Sequence, residues 1–366
     1  MIKLESINKS FASKKILDSL DFEVKEKEIV TLLGPNGCGK TTLLNMISGL
    51  IRQDSGNIYI NNELVSGKAG TKKVNLKPSE RKVGYVFQTI SLFPHMRIED
   101  NVAYGLKALG LPKKETTSRT NNLLDFVGLS EYAKYYPHQL SGGQKQRTAL
   151  ARSLATEPSV LLLDEPVSAV DPQLRDSFRV ELKNYLRKLE ITVVYVTHNL
   201  SEAFVMSDRI AIVGRGRIQQ TGTAVEIYDR PASTSVAKFL GINTFRGKAV
   251  GTRGGLLEVE AAGVLFLAVA SADLVGKAVV ATLKPDSITL LPLEKSPNSR
   301  LGNAVEGTIV EMTQMRSTAQ VTLDVGFTLK ARLQLSTIKA LGLSIGDRVQ
   351  VCFAPEELNV FTESGD

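Results

Sequence analysis

The segment Gly34-Pro35-Asn36-Gly37-Cys38-Gly39-Lys40-Thr41, continued by Thr42, restricts the fold more than any other stretch of the chain. Ahead of it, Glu28 to Leu33 is a short apolar run that reads as a buried strand. Behind it, helical spacing begins after Lys40. A glycine-rich turn joining a buried strand to a helix N-terminus predicts an α/β domain with a largely parallel sheet. The same turn suits a phosphate. Its glycines let backbone N–H groups turn inward, and the helix offers its positive end. Lys40 adds a mobile charge for the outer phosphates of a nucleotide, and the Thr41 hydroxyl suits Mg²⁺. Cys38 reads as packing within the loop, with no redox role.

A phosphate loop needs a second strand bearing carboxylates. Val160-Leu161-Leu162-Leu163-Asp164-Glu165-Pro166 supplies it. Apolar residues bury the strand, so Asp164 emerges at its end, placed to hold Mg²⁺ directly or through water. Glu165 follows, where a carboxylate can orient or deprotonate an attacking water. The β-branched run Ile191 to Thr197 reads as a third strand and delivers His198. On pattern alone, a lone histidine after a strand reads as structural. From Arg97 to Glu157 the spacing is almost wholly helical, which predicts a helical subdomain inserted between sheet strands.

Near the end of that helical stretch stands Leu140-Ser141-Gly142-Gly143-Gln144, then Lys145-Gln146-Arg147. With this pentapeptide shortly before Asp164 and a phosphate loop upstream, the chain resembles the ATP-binding subunit of an ABC transporter. The resemblance covers the first 240 or so residues. It implies the nucleotide-triphosphatase fold of that family, residues 1–241, with ATP and Mg²⁺ as cofactors. It implies that Gln88, closing Val83-Gly84-Tyr85-Val86-Phe87-Gln88, touches Mg²⁺ or the attacking water. His198 matches the family's switch histidine. Asp171 in Ser168-Ala169-Val170-Asp171 matches an aspartate that crosses to the opposite site of a dimer, and an N-cap before Pro172 is its simpler reading. Phe11 falls where an aromatic ring stacks on adenine. Val170 and Asn199 depart mildly from the family pattern and remove no catalytic group.

In this family the signature Ser141, Gly142, Gly143 and Gln144 closes over ATP held by another cassette. One phosphate loop and one signature per chain therefore imply a second cassette from another copy or a paralogue, a homodimer being the simplest case. Thr89-Ile90-Ser91-Leu92-Phe93-Pro94-His95-Met96 resembles the importer type, in which Phe93 and Met96 would meet an integral membrane permease. An extracytoplasmic solute-binding protein is then an indirect partner, and the cytoplasmic face of the membrane the expected location.

The whole chain agrees with that reading. At 366 residues it is long enough for two domains, with 43% hydrophobic residues. No leader is expected, and Gly263 to Leu283 is broken by Asp273, Gly276 and Lys277, so it reads as strands with turns. The net charge of +7 is dispersed apart from Lys68, Lys72, Lys73, Lys77, Arg81 and Lys82. No aromatic residues interleave with that stretch, so no nucleic-acid partner is expected. Two cysteines far apart and three histidines predict neither a disulfide framework nor a metal cluster.

Beyond Asn243 segments shorten and alternate, as in Leu256 to Glu260, Gln320 to Val325 and Arg348 to Phe353. Residues 242–366 read as an all-β, OB-like domain, resembling the regulatory (TOBE) tail of importer ATPases. Lys295 to Gly302 reads as a loop dividing it, and no internal repeat stands out. Lys284-Pro285-Asp286-Ser287-Ile288 matches that tail's turn. Asp324-Val325-Gly326, Leu329 to Arg332 and Gly346 to Val349 resemble tails of molybdate or tungstate importers. That likeness makes an oxyanion, sulfate included, the expected cargo, with ferric iron, polyamine or sugar as alternatives. Ser299, Arg300 and Asn303 are spaced wrongly for an anion site, so a solvated linker is expected there. A soluble ABC ATPase of translation or DNA repair is the alternative of another class.

Overall fold

The structure is a computed structural model and describes residues 1–293 and 302–362. By compactness the chain divides into Met1–Ala224 and Val225–Asp366. The first unit holds two sheets. Its six-stranded sheet runs in the order Arg217–Gly222, Arg209–Gly214, Ile29–Leu33, Thr192–Thr197, Val160–Asp164 and Val83–Val86. All neighbours are parallel except the first pair. The strands Ile29–Leu33, Val160–Asp164 and Thr192–Thr197 are buried at every position, as apolar and β-branched runs covered on both faces must be.

A five-stranded antiparallel sheet, Lys14–Val24, Ile2–Phe11, Ser55–Ile60, Glu63–Ala69 and Lys72–Asn75, packs on the helix Lys40–Ser48 through one core. Its hairpin Glu63–Asn75 carries Lys68, Lys72 and Lys73, all exposed. The buried Arg81 is different in kind. Its guanidinium donates to Met46 O, Ile47 O and Leu76 O and so closes the end of the phosphate-loop helix. Between Val86 and Val160 lie the helices Ile98–Ala108, Lys113–Phe126 and Gly142–Leu154, with a core of their own. The helix expected from Pro172 begins at Arg175 instead, because Leu174 N bonds back to Asp171 O in a preceding turn.

The second unit is all-β in its main elements. Two five-stranded antiparallel sheets share one core, at whose centre Phe245 lies 4.6 Å from Phe327 and Phe266 lies 5.9 Å from Phe353, ring centre to ring centre. These sheets disclose an internal duplication that the sequence hides. The strand Asn243–Arg253 pairs with Ala278–Leu283 so that Asn243 faces Leu283 and Gly247 faces Val279. The strand Asn303–Met315 pairs with Arg348–Phe353 so that Asn303 faces Phe353 and Gly307 faces Val349. A short turn of helix at Pro285–Ser287 follows the first pair, and one at Pro355–Glu357 follows the second. Each turn hands the chain to the other sheet: Thr289–Pro292 joins the second, Leu358–Phe361 the first.

The two asparagines bind the halves together. Asn243 donates to Leu283 O and Lys330 O and accepts from Lys330 N. Asn303 accepts from Leu267 N at 2.7 Å and donates to Leu267 O at 2.8 Å. Both are nearly buried, so removing either amide strands backbone groups that water cannot reach. The divider expected over Lys295 to Gly302, with Ser299 and Arg300, lies outside the described residues except for Gly302. Asn303 is engaged as above. Asn303→Ala should cost about 1–3 kcal/mol in the unfolding of this unit, from the desolvation of unpaired groups. Chemical denaturation of the full chain, followed by near-UV signals of the tail, should show an earlier transition. An unchanged midpoint would remove the asparagine from its structural role.

Candidate functional site

Four strand ends build the site. Leu33 runs into Gly34, and the loop then turns into the helix at Lys40. A Cβ on Gly34 would fall 2.3 Å from Val213 O, so the loop can leave its strand there only without a side chain. Gly39 has φ +105°, and a Cβ would lie 2.8 Å from the Leu17 side chain. Lys40 is 6% exposed, and its ammonium donates to Gly34 O at 2.8 Å and Pro35 O at 2.9 Å. The charge is thus parked on loop carbonyls, where an anion can recruit it. Cys38 Sγ stands 3.8 Å from the same nitrogen, and burial pushes its thiol up, away from the reactive thiolate.

Asp164 ends its strand 2% exposed, 3.3 Å from the Thr41 hydroxyl. Burial is the main reason its carboxyl is held above the usual range; the Thr41 hydroxyl acts the other way. Among the described residues no set of three His, Cys, Asp or Glu side chains converges as a metal cage. One buried carboxylate beside one hydroxyl is instead the sparse oxygen set that suits Mg²⁺ completed by phosphate oxygens and water. The residues present therefore fit that ion.

Glu165 follows with φ 45°, a left-handed conformation that costs a non-glycine residue of order 1 kcal/mol or more. Its N–H donates to Val196 O on the neighbouring strand, and its carbonyl accepts from Ser168 N and Oγ, which fix the turn. Its side chain is gripped from both sides. Gln88 Nε2 donates to one oxygen at 3.0 Å, and His198 Nδ1 lies 2.8 Å from the other. The His198 loop rests on a buried network: Thr197 Oγ1 donates to Glu202 at 2.7 Å, and Arg179 meets Glu202 at 3.0 Å. Asn199 caps the next helix by accepting from Glu202 N, which an aspartate would do equally.

A cleft of about 520 Å³ is lined by Phe11, Lys14, Ile16, Asn36, Gly37, Gly39, Lys40, Thr41, Thr42, Gln88 and Glu165. Phe11 is 46% exposed, with Lys9 over its ring at 5.1 Å. Lys14 and Ile16 had no motif to reveal them. Ser141, Gly142, Gly143, Gln144 and Asp171 do not line this cleft. Ser141 caps the helix Gly142–Leu154, which starts two residues before the expected Gln144, and Gln144 bonds back to Ser141 N. A Cβ on Gly142 would lie 2.4 Å from Ala169 O, but one on Gly143 would meet nothing within 4 Å. Asp171 is exposed and accepts from Gln173 N at 2.9 Å, a local turn and no helix cap.

Sequence reasoning also missed what holds the loop after Gln88. Asn101, fully buried, accepts from Phe93 N and donates to Phe93 O, Met96 O and Arg97 O. Arg152 donates to Ser91 O and lies over the Phe93 ring at 5.5 Å. Phe93 in turn packs on the exposed Tyr104.

A profile of the ABC transporter family matches residues 17–168. The chain is 46% identical over 245 residues to a spermidine/putrescine import ATP-binding protein, PotA, of Marinobacter nauticus, an alignment covering 67% of this chain and 64% of that protein. It is 40% identical over 328 residues to the protein of the same description from Thermobifida fusca, covering 88% of this chain and 83% of that one. Among solved structures it resembles the dimeric, post-hydrolysis ATP-binding cassette MJ0796 bound to ADP and Pi, with TM-score 0.53, 30% identity, and 61% and 99% of the two chains covered. These relatives give the oxyanion expectation no support. Of the segments behind it, two are turns, where Asp324 accepts from Gly326 N and Asp347 from Ser344 N, and Leu329 to Arg332 lies within the strand Thr328–Gln334.

The raised Asp164 pKa carries a sign. An acid whose folded pKa lies above its unfolded one loses stability as pH rises through that interval, and the full penalty applies at neutral pH. Asp164→Asn should therefore raise the melting temperature of the nucleotide-free protein at pH 7.5. The gain should shrink at pH 4. A lower melting temperature for the variant at neutral pH would contradict the assignment.

Proposed function

The chain belongs to the ABC transporter family, as an import ATP-binding subunit, and from that premise we propose that it hydrolyses ATP to drive uptake of a small polyamine. The single observation that carries the reading is the convergence of Lys40, Thr41, Gln88 and Glu165 on one cleft, with Phe11 at its rim. Phe11 offers a π-face to adenine. Backbone N–H groups from Gly37 to Thr42 receive the phosphates, and Lys40 leaves Gly34 O and Pro35 O to neutralise them. Thr41, Asp164 and Gln88 would hold Mg²⁺, which when bound offsets charge on the outer phosphates. Glu165 takes the proton of the attacking water or orients it. To do so it must exchange at least one of its bonds to Gln88 and His198, which turn to the nucleotide's outer phosphate and the water.

The signature requires a second chain. Gly143 has open space where a Cβ would stand and no positive φ, so nothing in its own chain demands glycine. A closely approaching anion does. Ser141 through Gln144 of one copy therefore closes on the nucleotide of another, with Asp171 crossing nearby. The half-exposed ring pair Phe93 and Tyr104, with Met96, forms the face offered to a membrane permease. Among the described residues no helix is long and apolar enough to cross a membrane. The permease and an extracytoplasmic binding protein would then choose the solute. Polyamine is preferred because both relatives above carry that description, one of them over 88% of this chain.

Glu165→Gln should lower turnover by about 10²–10⁴-fold while ATP still binds, and should trap a dimer on size exclusion; a monomer with full hydrolysis would refute the base. Ser141→Arg should block hydrolysis, yet mixed dimers of Ser141→Arg with Lys40→Ala should regain one working site. No recovery would count against the cross-chain geometry. For the cargo, ATPase activity of the reconstituted importer should rise with spermidine- or putrescine-loaded binding protein, and stimulation by molybdate alone would overturn the polyamine reading.

A further inference from the structure

Asp164 is buried at a place where few donors can reach it. One is the Thr41 hydroxyl at 3.3 Å. The neighbouring strand Val83–Val86 runs alongside, and its Tyr85 lies in register with Leu162, two residues ahead of Asp164 on the same face. The Tyr85 ring is half-buried in the core under the sheet and stacks on Phe87 at 4.1 Å. Its hydroxyl donates to Asn45 Oδ1 at 3.0 Å. Asn45 belongs to the helix Lys40–Ser48, which also carries Lys40 and Thr41. A phenol here thus ties the helix of the phosphate loop to the strand next to the metal carboxylate.

We propose that Tyr85 is a positioning residue: held by Asn45, its hydroxyl faces Asp164 and fixes the carboxylate in the orientation that receives Mg²⁺. Thr41, which faces Asp164, and Asn45, which holds Tyr85, lie one turn apart on the same helix. Thr41 also serves the metal and moves with the loop helix. Tyr85 serves no ligand and sits on the sheet, so it supplies the fixed half of the arrangement. Its proton goes to the Asn45 amide oxygen at 3.0 Å, one helical turn beyond the Thr41 that faces Asp164. Rotation of the amide lets Asn45 donate to the phenol oxygen while the phenol donates to Asp164, with no proton gained or lost. Phenylalanine would fill the same volume and keep the stack, so the hydroxyl alone carries the effect.

The inference rests on Asp164 being the Mg²⁺ carboxylate, and the test separates the two. Mn²⁺ binding to the full chain, with a non-hydrolysable ATP analogue present, is titrated by electron paramagnetic resonance; metal-free nucleotide affinity is measured in EDTA. Tyr85→Phe should weaken Mn²⁺ on the order of tenfold, the low end for loss of a group that orients a metal ligand. Metal-free nucleotide affinity should stay within about twofold. Asn45→Ala should give part of the same loss, and the double variant no more than Tyr85→Phe alone, since both act through one hydroxyl. Asp164→Asn should abolish tight Mn²⁺ binding. If it does while Tyr85→Phe binds Mn²⁺ like the parent, or if the two losses add, the positioning role is overturned. If Asp164→Asn leaves Mn²⁺ affinity intact, the metal assignment itself fails.

Discussion

A parallel sheet buried on both faces can offer chemistry only where its strands end. Three neighbouring strands here are buried along their whole length, and their side chains are spent on packing. Strand order then sets which strand ends meet. The carboxylate strand lies between the strand that delivers His198 and the one that leads to Gln88. With neighbours about 4.8 Å apart, a side chain leaving the middle strand meets one from each side. That is why Glu165 has one oxygen on Gln88 and the other on His198. Asp164, one residue earlier, still belongs to the strand and stays buried, facing Thr41.

The same geometry gives the site its character. Every reactive group in it is already partnered. Lys40 is held by carbonyls and Glu165 by Gln88 and His198, and outside the cleft Ser141 is held by its own helix. None of these bonds is strong in net terms, since each replaces one made with water. On the proposed mechanism they keep the groups satisfied until a nucleotide and a second chain offer better partners. The left-handed Glu165 backbone belongs to this arrangement. It turns the residue out of the buried strand at the level of its two neighbours, and the Ser168 hydroxyl and N–H hold the turn.

The parts of the fold readable from residues alone were those under the strongest physical restriction. Buried central strands have no freedom in pattern, so Ile29–Leu33, Val160–Asp164 and Thr192–Thr197 stood out within a residue of their ends. Phosphate-loop glycines are forced by close backbone approach at Gly34 and by conformation at Gly39. The antiparallel sheet around the lysine hairpin was hidden, because its exposed face tolerates any polar residue. Tyr85, Asn45, Asn101 and Arg152 were hidden for a different reason. Tyr85, Asn45 and Arg152 act across 40 to 61 residues, and Asn101 bonds back four to eight residues to an irregular loop; no periodic spacing records either. Asp171 was readable as a position but not as a cap, since the turn ahead of Arg175 uses its carboxylate locally.

The tail shows the limit from the other side. Its two halves repeat one register, yet only asparagine, glycine and a proline-acidic turn recur in sequence. Those are the positions where geometry leaves no choice. A Cβ on Gly247 would lie 2.7 Å from Glu260 O, and one on Gly307 would lie 2.7 Å from the Val325 side chain. The asparagines must satisfy backbone groups across two sheets. Elsewhere a β-strand asks only for alternation, and many sequences meet it. Residues such as Asp324 and Asp347 are set by the turns they make, which such a tail needs whatever the cargo. Likeness in such a tail reports its turns, and says little about the solute that a separate permease admits.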